Sequence, residues 1–108
     1  MSDSFSNREK GEERKYEMDQ QMLFRAESRR NKLLGLWLAE IFGMTGEDAD
    51  TYAKQVVVAD MDEPGIEDVM RKVMADIKIR TAPVTEAQVR SKIQELESVA
   101  LDQIKNEG

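Results

Sequence analysis

Residues 1–20 and the remainder of this chain obey different rules. The first twenty, MSDSFSNREKGEERKYEMDQ, are dense in charge and offer only Phe5, Tyr16 and Met18 as sizeable apolar groups. From Met22 onward, apolar residues recur at helical spacing nearly to the end. A segment that cannot bury itself, joined to one that can, reads as an arm that awaits a partner and a domain that folds alone. The boundary falls near Gln20. Residues 1–19 are expected to form a mobile, largely polar N-terminal arm, disordered or nascently helical when free, and residues 20–108 a folded domain.

With 108 residues the chain has room for one domain. It contains no cysteine, so disulfides and thiol-based metal sites are excluded. It contains no histidine either, which removes the commonest general base and metal ligand. What remains for catalysis is carboxylate, lysine or tyrosine chemistry, and the chain is read as a non-enzyme. No apolar run approaches the roughly 18 residues that span a bilayer, and the charged N-terminus lacks the apolar core of a signal peptide. A cytoplasmic protein without direct membrane insertion is expected.

The net charge of −6 is unevenly placed. Residues 21–45 carry +2, while residues 46–68 reach −7, with Lys54 alone opposing eight acids. An acidic chain of this kind is not expected to coat nucleic acid.

Periodicity predicts four helices. The first runs from about Gln20 to Phe42, its stripe comprising Leu23, Ala26, Arg30, Leu33, Leu34, Trp37, Leu38, Ile41 and Phe42. Gly43 stands where a left-handed C-terminal cap belongs. Thr45 and Asp48 nearly match a capping box for a second helix bearing Ala49, Tyr52, Ala53, Val56 and Val57. The valine triplet 56–58 would suit a strand, but no second strand candidate exists to pair with it. A turn at Asp60-Met61-Asp62-Glu63-Pro64-Gly65 predicts a third helix capped by Asp60 or Asp62, with Pro64 in its first turn. Its apolar face is Ile66, Val69, Met70, Val73, Met74 and Ile77. Thr85 and Gln88 form a capping box for the fourth helix, flanked by the staple pair Val84 and Val89. Three short connections make the expected fold an all-α, antiparallel four-helix bundle.

Three constellations are candidates for chemistry. The acids Asp60, Asp62, Glu63, Glu67 and Asp68 partly imitate a calcium loop, yet Pro64 occupies the fifth position and Arg71 the twelfth, where a bidentate glutamate is required. No metal site is predicted. On a helix, Arg25, Arg29 and Lys32 share one face, a geometry able to hold phosphates. The competing reading is a solvated face paired with Glu27 and with acids of neighbouring helices. No cofactor is required, and a weak ADP or ATP ligand is the one such a face would take. The apolar cluster Leu33, Leu34, Leu36, Trp37 and Leu38 is too broad for one stripe, so Leu36 is expected to be exposed or to face a partner.

These residues also carry a resemblance. Phe5 with Arg8-Glu9, Glu13, Lys15-Tyr16, Phe24, the string Arg29-Arg30-Asn31-Lys32-Leu33-Leu34-Gly35 with Trp37, and the acidic turn from Asp60 to Gly65 resemble the zeta subunit family. These are small inhibitor proteins of alphaproteobacterial F-type ATP synthases. The resemblance implies a regulatory subunit whose N-terminal arm enters an interface between the alpha and beta subunits, near the gamma shaft, and blocks ATP hydrolysis. It implies the catalytic head as partner, a monomer when free, and Phe5, Arg8, Glu9, Glu13, Lys15 and Tyr16 as arm residues that dock. Gly11 stands inside the arm where an inhibitory helix should continue. The alternative is a helical module that senses adenine nucleotide and docks with little inhibitory effect.

Overall fold

The computed structural model describes residues 20–60 and 65–107. Among these residues the chain forms four helices and no strand: α1 (Gln20–Ile41), α2 (Gly46–Ala59), α3 (Glu67–Arg80) and α4 (Glu86–Glu107). Contacts along the helices fix their directions. On α1, Arg30 and Trp37 meet Glu97 and Lys92 of α4, and Ile41 lines one groove with Val84 just before α4, so these two helices run antiparallel. In the same way Asn31 and Phe42 meet Asp60 and Tyr52, and Tyr52 and Gln55 meet Asp76 and Lys72. Helix α1 packs extensively on both α2 and α4, whereas α3 leans mainly on α2. The fold is the expected all-α four-helix bundle, with α1 as its shared wall.

The core draws on every helix. Leu34, Leu38 and Ala39 of α1 meet Tyr52 and Val56 of α2, Val69, Met70, Val73 and Ile77 of α3, and Val89, Ile93 and Leu96 of α4. The valine triplet is helical, with Val56 inside and Val58 exposed.

Helix ends follow local chemistry. At the end of α1, Gly43 adopts φ +82°, and the Met44 N–H reaches back to the Ala39 carbonyl at 2.8 Å. That is the left-handed termination its position predicts. At α4 the capping box forms in both directions: the Gln88 N–H donates to Thr85 Oγ1 at 3.1 Å, and the Thr85 N–H donates to Gln88 Oε1 at 2.9 Å. Val84 packs against the core and Val89 lies within it, as a staple requires. Thr45 is the N-cap of α2 but makes no side-chain cap bond, so the Thr45–Asp48 box does not close.

Three expectations need correction. Helix α3 begins at Glu67 with Ile66 at its N-cap, later than a start at Pro64 would have it. Asp60 does not cap α3. It terminates α2, and its carboxylate turns back to α1; Asp62 and Pro64 lie outside the described residues. Leu23 is 47% exposed, although it falls on the apolar stripe of α1. The cause is helix length: α2 ends at Ala59 with Asp60 as its cap, level with Arg30 and Asn31, so two turns earlier α4 is the one helix among the described residues that flanks α1.

Tyr52 makes the core sensitive to alkali. Its ring is buried and its hydroxyl donates to Asp76 Oδ2 at 2.8 Å. Burial first, then that hydrogen bond, push the phenol well above its ordinary range. The folded state therefore keeps a proton that the unfolded state releases above about pH 10. The stabilisation is complete below that pH and falls by up to about 1.4 kcal/mol per pH unit above it. Urea denaturation of the parent and Tyr52→Phe should show the gap between their stabilities narrowing or reversing between about pH 9 and 11. A constant gap over that range would show that the phenol ionises as freely in the fold as in the unfolded chain.

Candidate functional site

The arm residues Phe5, Arg8, Glu9, Glu13, Lys15 and Tyr16 lie outside the described residues. What the structure presents is the end of the bundle to which the arm connects. There α1 begins at Gln20, with the last turns of α4 beside it.

The basic face at this end is built as one unit. Arg29 spans the gap to α4, donating through Nη1 to Gln103 Oε1 at 2.7 Å and through Nη2 to Glu107 Oε1 at 3.1 Å. Its Nη1 also lies 2.7 Å from Glu107 Oε2, and Arg25 Nη2 lies 3.5 Å from Oε1 of the same carboxylate. The hydrogen bond from Arg29 holds the Glu107 carboxyl below its ordinary range and raises the guanidinium correspondingly. Arg25 and Arg29 thus do share a face, and an acid of a neighbouring helix sits between them. Lys32 is exposed, one turn further along α1. A phosphate reaching Arg25 and Arg29 would have to compete with Glu107.

The two residues that follow Arg29 turn the other way. Arg30 and Asn31 are only 4% and 1% exposed. Arg30 Nε donates to Asn31 Oδ1 at 3.0 Å, Nη1 to Glu97 Oε1 at 3.3 Å and Nη2 to Asp60 Oδ2 at 3.4 Å. Asn31 Nδ2 donates to the same Asp60 oxygen at 2.9 Å. Among the described residues no buried side-chain nitrogen or oxygen lacks a partner. The string Arg29-Arg30-Asn31 therefore knits α1 to α4 on one side and to the end of α2 on the other. Gly35 completes it by allowing α1 to touch Ala53 of α2. Sequence reasoning found Arg30 on the buried stripe but missed Asn31 and Asp60. Both are polar residues whose burial depends on each other.

A second feature was not foreseen. A groove of about 530 Å³ is lined by Phe42, Tyr52, Asp76 and Arg80, among others. Phe42 and Tyr52 meet edge to face at 5.4 Å, the Arg80 guanidinium lies 5.0 Å from the Phe42 ring centre, and Lys72 pairs with Asp76 at 3.0 Å. These groups satisfy one another, and Tyr52 holds its proton too tightly to serve as a base. Leu36 is half-buried rather than presented to solvent, and the apolar exposure of α1 is at Leu23 and Phe24. Among the described residues no helix is long and apolar enough to cross a membrane.

Comparison with known proteins bears on the whole chain. No curated protein matches it in sequence. A protein whose structure was solved by solution NMR is 49% identical and superposes with a TM-score of 0.72. That match covers 81% of this chain and 99% of the other. The family model described as ATPase inhibitor subunit zeta matches residues 1–103, taking in the arm, the Arg29–Gly35 string, the Asp60 turn and all but the last turn of α4. The chain belongs to the ATPase inhibitor subunit zeta family.

Proposed function

We propose that this chain restrains ATP hydrolysis by an F-type ATP synthase, its N-terminal arm entering an interface between the alpha and beta subunits near the gamma shaft. The observation that carries this reading is the span of the family match, which begins at residue 1 and so includes the arm with the bundle. The division of chemistry along the chain supports it. Among the described residues of the bundle, buried polar groups are satisfied and the helices close a common core. Residues 1–19 hold Phe5 and Tyr16 among charges, a composition suited to docking with two aromatic anchors and a rim of ion pairs from Arg8, Glu9, Glu13 and Lys15. The bundle acts as the handle that sets the arm's local concentration at the head. The catalytic work belongs to the partner; this subunit contributes binding.

The test is ATP hydrolysis by the catalytic head, titrated with the full chain and with a chain starting at Gln20. Inhibition by the full chain alone supports the reading and places it in residues 1–19. Equal inhibition by both would move the activity to the bundle and overturn arm insertion. A third protein, Gly11→Ala, sharpens the result. Glycine costs about 1 kcal/mol of helix propensity relative to alanine, so an arm that docks as a helix should inhibit up to about fivefold more strongly after the change. An unchanged or weaker inhibition by Gly11→Ala would show that the arm docks in a non-helical form at that position.

A further inference from the structure

The four helices are not held equally. Helices α1 and α2 touch at Gly35 and Ala53 and share the buried Arg30–Asn31–Asp60 network. Helices α1 and α4 run 22 residues each and are tied by Arg29 to Gln103 and Glu107, by Arg30 to Glu97 and by Lys92 to Trp37. Helix α3 is shorter, at 14 residues, and buries Val69, Met70, Val73 and Ile77. It packs chiefly on α2, with a lighter contact to α4. Among its polar ties to other helices, Asp76 meets the Tyr52 hydroxyl at 2.8 Å in a part-buried bond, whereas Lys72–Gln55 and Glu67–Arg90 are exposed. Its last three residues, Lys78, Ile79 and Arg80, are exposed as well. Little buried apolar surface and ties open to water are the marks of an element of low local stability.

The exit from α3 is also strained. Thr81 adopts φ 53° and ψ 42°, and among the described residues it is the one non-glycine at positive φ. A β-branched side chain crowds the backbone there, so threonine is rare in this conformation. The exit from α1 gives the contrast. There the left-handed position is Gly43, and Met44 reaches back to Ala39; here Ala82 reaches back to Ile77 at 3.0 Å in the same pattern, but threonine holds the turn. Strain of this kind persists only while the surrounding packing enforces it. Beyond it, Ala82 and Val84 pack on the core and anchor the chain on the α4 side. We infer that α3 is a lid on the bundle: it opens as one unit about Thr81 while α1, α2 and α4 stay packed, and uncovers the apolar side of the core that it closes. The opening belongs to the bundle and does not depend on how the arm docks.

Native-state hydrogen exchange of the full chain at increasing urea, below the unfolding transition, tests this. The amides of residues 72–80 should show protection at least about tenfold lower than those of residues 30–41 and 92–104, and a weaker dependence on urea. Equal protection and equal urea dependence in all three segments would mean that α3 opens only when the whole bundle unfolds, and would overturn the lid. Thr81→Asn locates the hinge, because asparagine enters the left-handed region more readily than threonine and adds none of glycine's freedom. It should slow exchange of residues 72–80 by roughly three- to fivefold, through relief of strain in the closed state. Exchange of residues 72–80 unchanged by Thr81→Asn would show that Thr81 keeps its conformation when the helix opens, and would overturn the hinge.

Discussion

Asp60→Ala should cost the bundle about 3 kcal/mol, a large share of the total stability of a domain this size. The carboxylate is 11% exposed and receives hydrogen bonds from Asn31 and Arg30, both buried on α1. Removing it leaves the buried Asn31 amide and Arg30 Nη2 without their acceptor, Arg30 keeping as its ion-pair partner only the half-exposed Glu97, and the loss is the desolvation those two groups then bear. Glu97 marks the contrast. It also meets Arg30, at 3.3 Å, but its side chain is 54% exposed, and Glu97→Ala should cost no more than about 1 kcal/mol. Asp60→Asn falls between: it can still accept from Asn31 but no longer offsets the charge of Arg30. Urea denaturation of the three variants measures the order. If Asp60→Ala proves as mild as Glu97→Ala, water reaches Arg30 and the network contributes little. If Asp60→Asn equals Asp60→Ala, the charge matters and the hydrogen bond to Asn31 does not.

That network shows where a linear reading succeeds and where it stops. The helices were legible because their signals are local: a period of three to four residues, a glycine at the end of α1, and a Thr85–Gln88 box whose two bonds both form. The same local logic fails for Asp60. An acid before a turn can cap the helix ahead or pair with something behind it, and the choice depends on Arg30 and Asn31, about thirty residues earlier in the chain. Leu23 obeys the period of α1 and is still exposed, because exposure depends on where α2 stops. The basic face was readable as a face, but the carboxylate between Arg25 and Arg29 comes from the last turn of α4. The string Arg29–Gly35 signalled the family before its chemistry was visible. The structure gives several of its residues bundle-holding roles that no local rule assigns.

Gly35 presents the sharpest conflict between local and tertiary rules. In the middle of a helix, glycine costs about 1 kcal/mol relative to alanine, so propensity alone predicts that Gly35→Ala stabilises α1. Packing predicts the reverse. A Cβ at position 35 would lie 2.6 Å from the Ala53 Cα and 3.2 Å from both Ala53 Cβ and Val56 Cγ2. The nearest of these atoms is backbone and cannot rotate aside, so α1 and α2 must part. Overpacking of this kind typically costs about 1–3 kcal/mol, and a backbone clash belongs at the upper end. Packing should therefore win by about 2 kcal/mol, lowering the melting temperature by roughly 10 °C. The separation would also reach the Arg30–Asp60 and Asn31–Asp60 bonds, which join the same two helices one turn away and are already 3.4 and 2.9 Å long. Adding Ala53→Gly removes the contact at Cβ but not the closer one at Cα, so it should recover only part of the loss. Thermal unfolding of Gly35→Ala, Ala53→Gly and the double variant decides the matter. A Gly35→Ala protein at least as stable as the parent would mean that α1 and α2 can separate without penalty. Full recovery in the double variant would place the clash at the Ala53 side chain and leave the helix backbones free to keep their spacing.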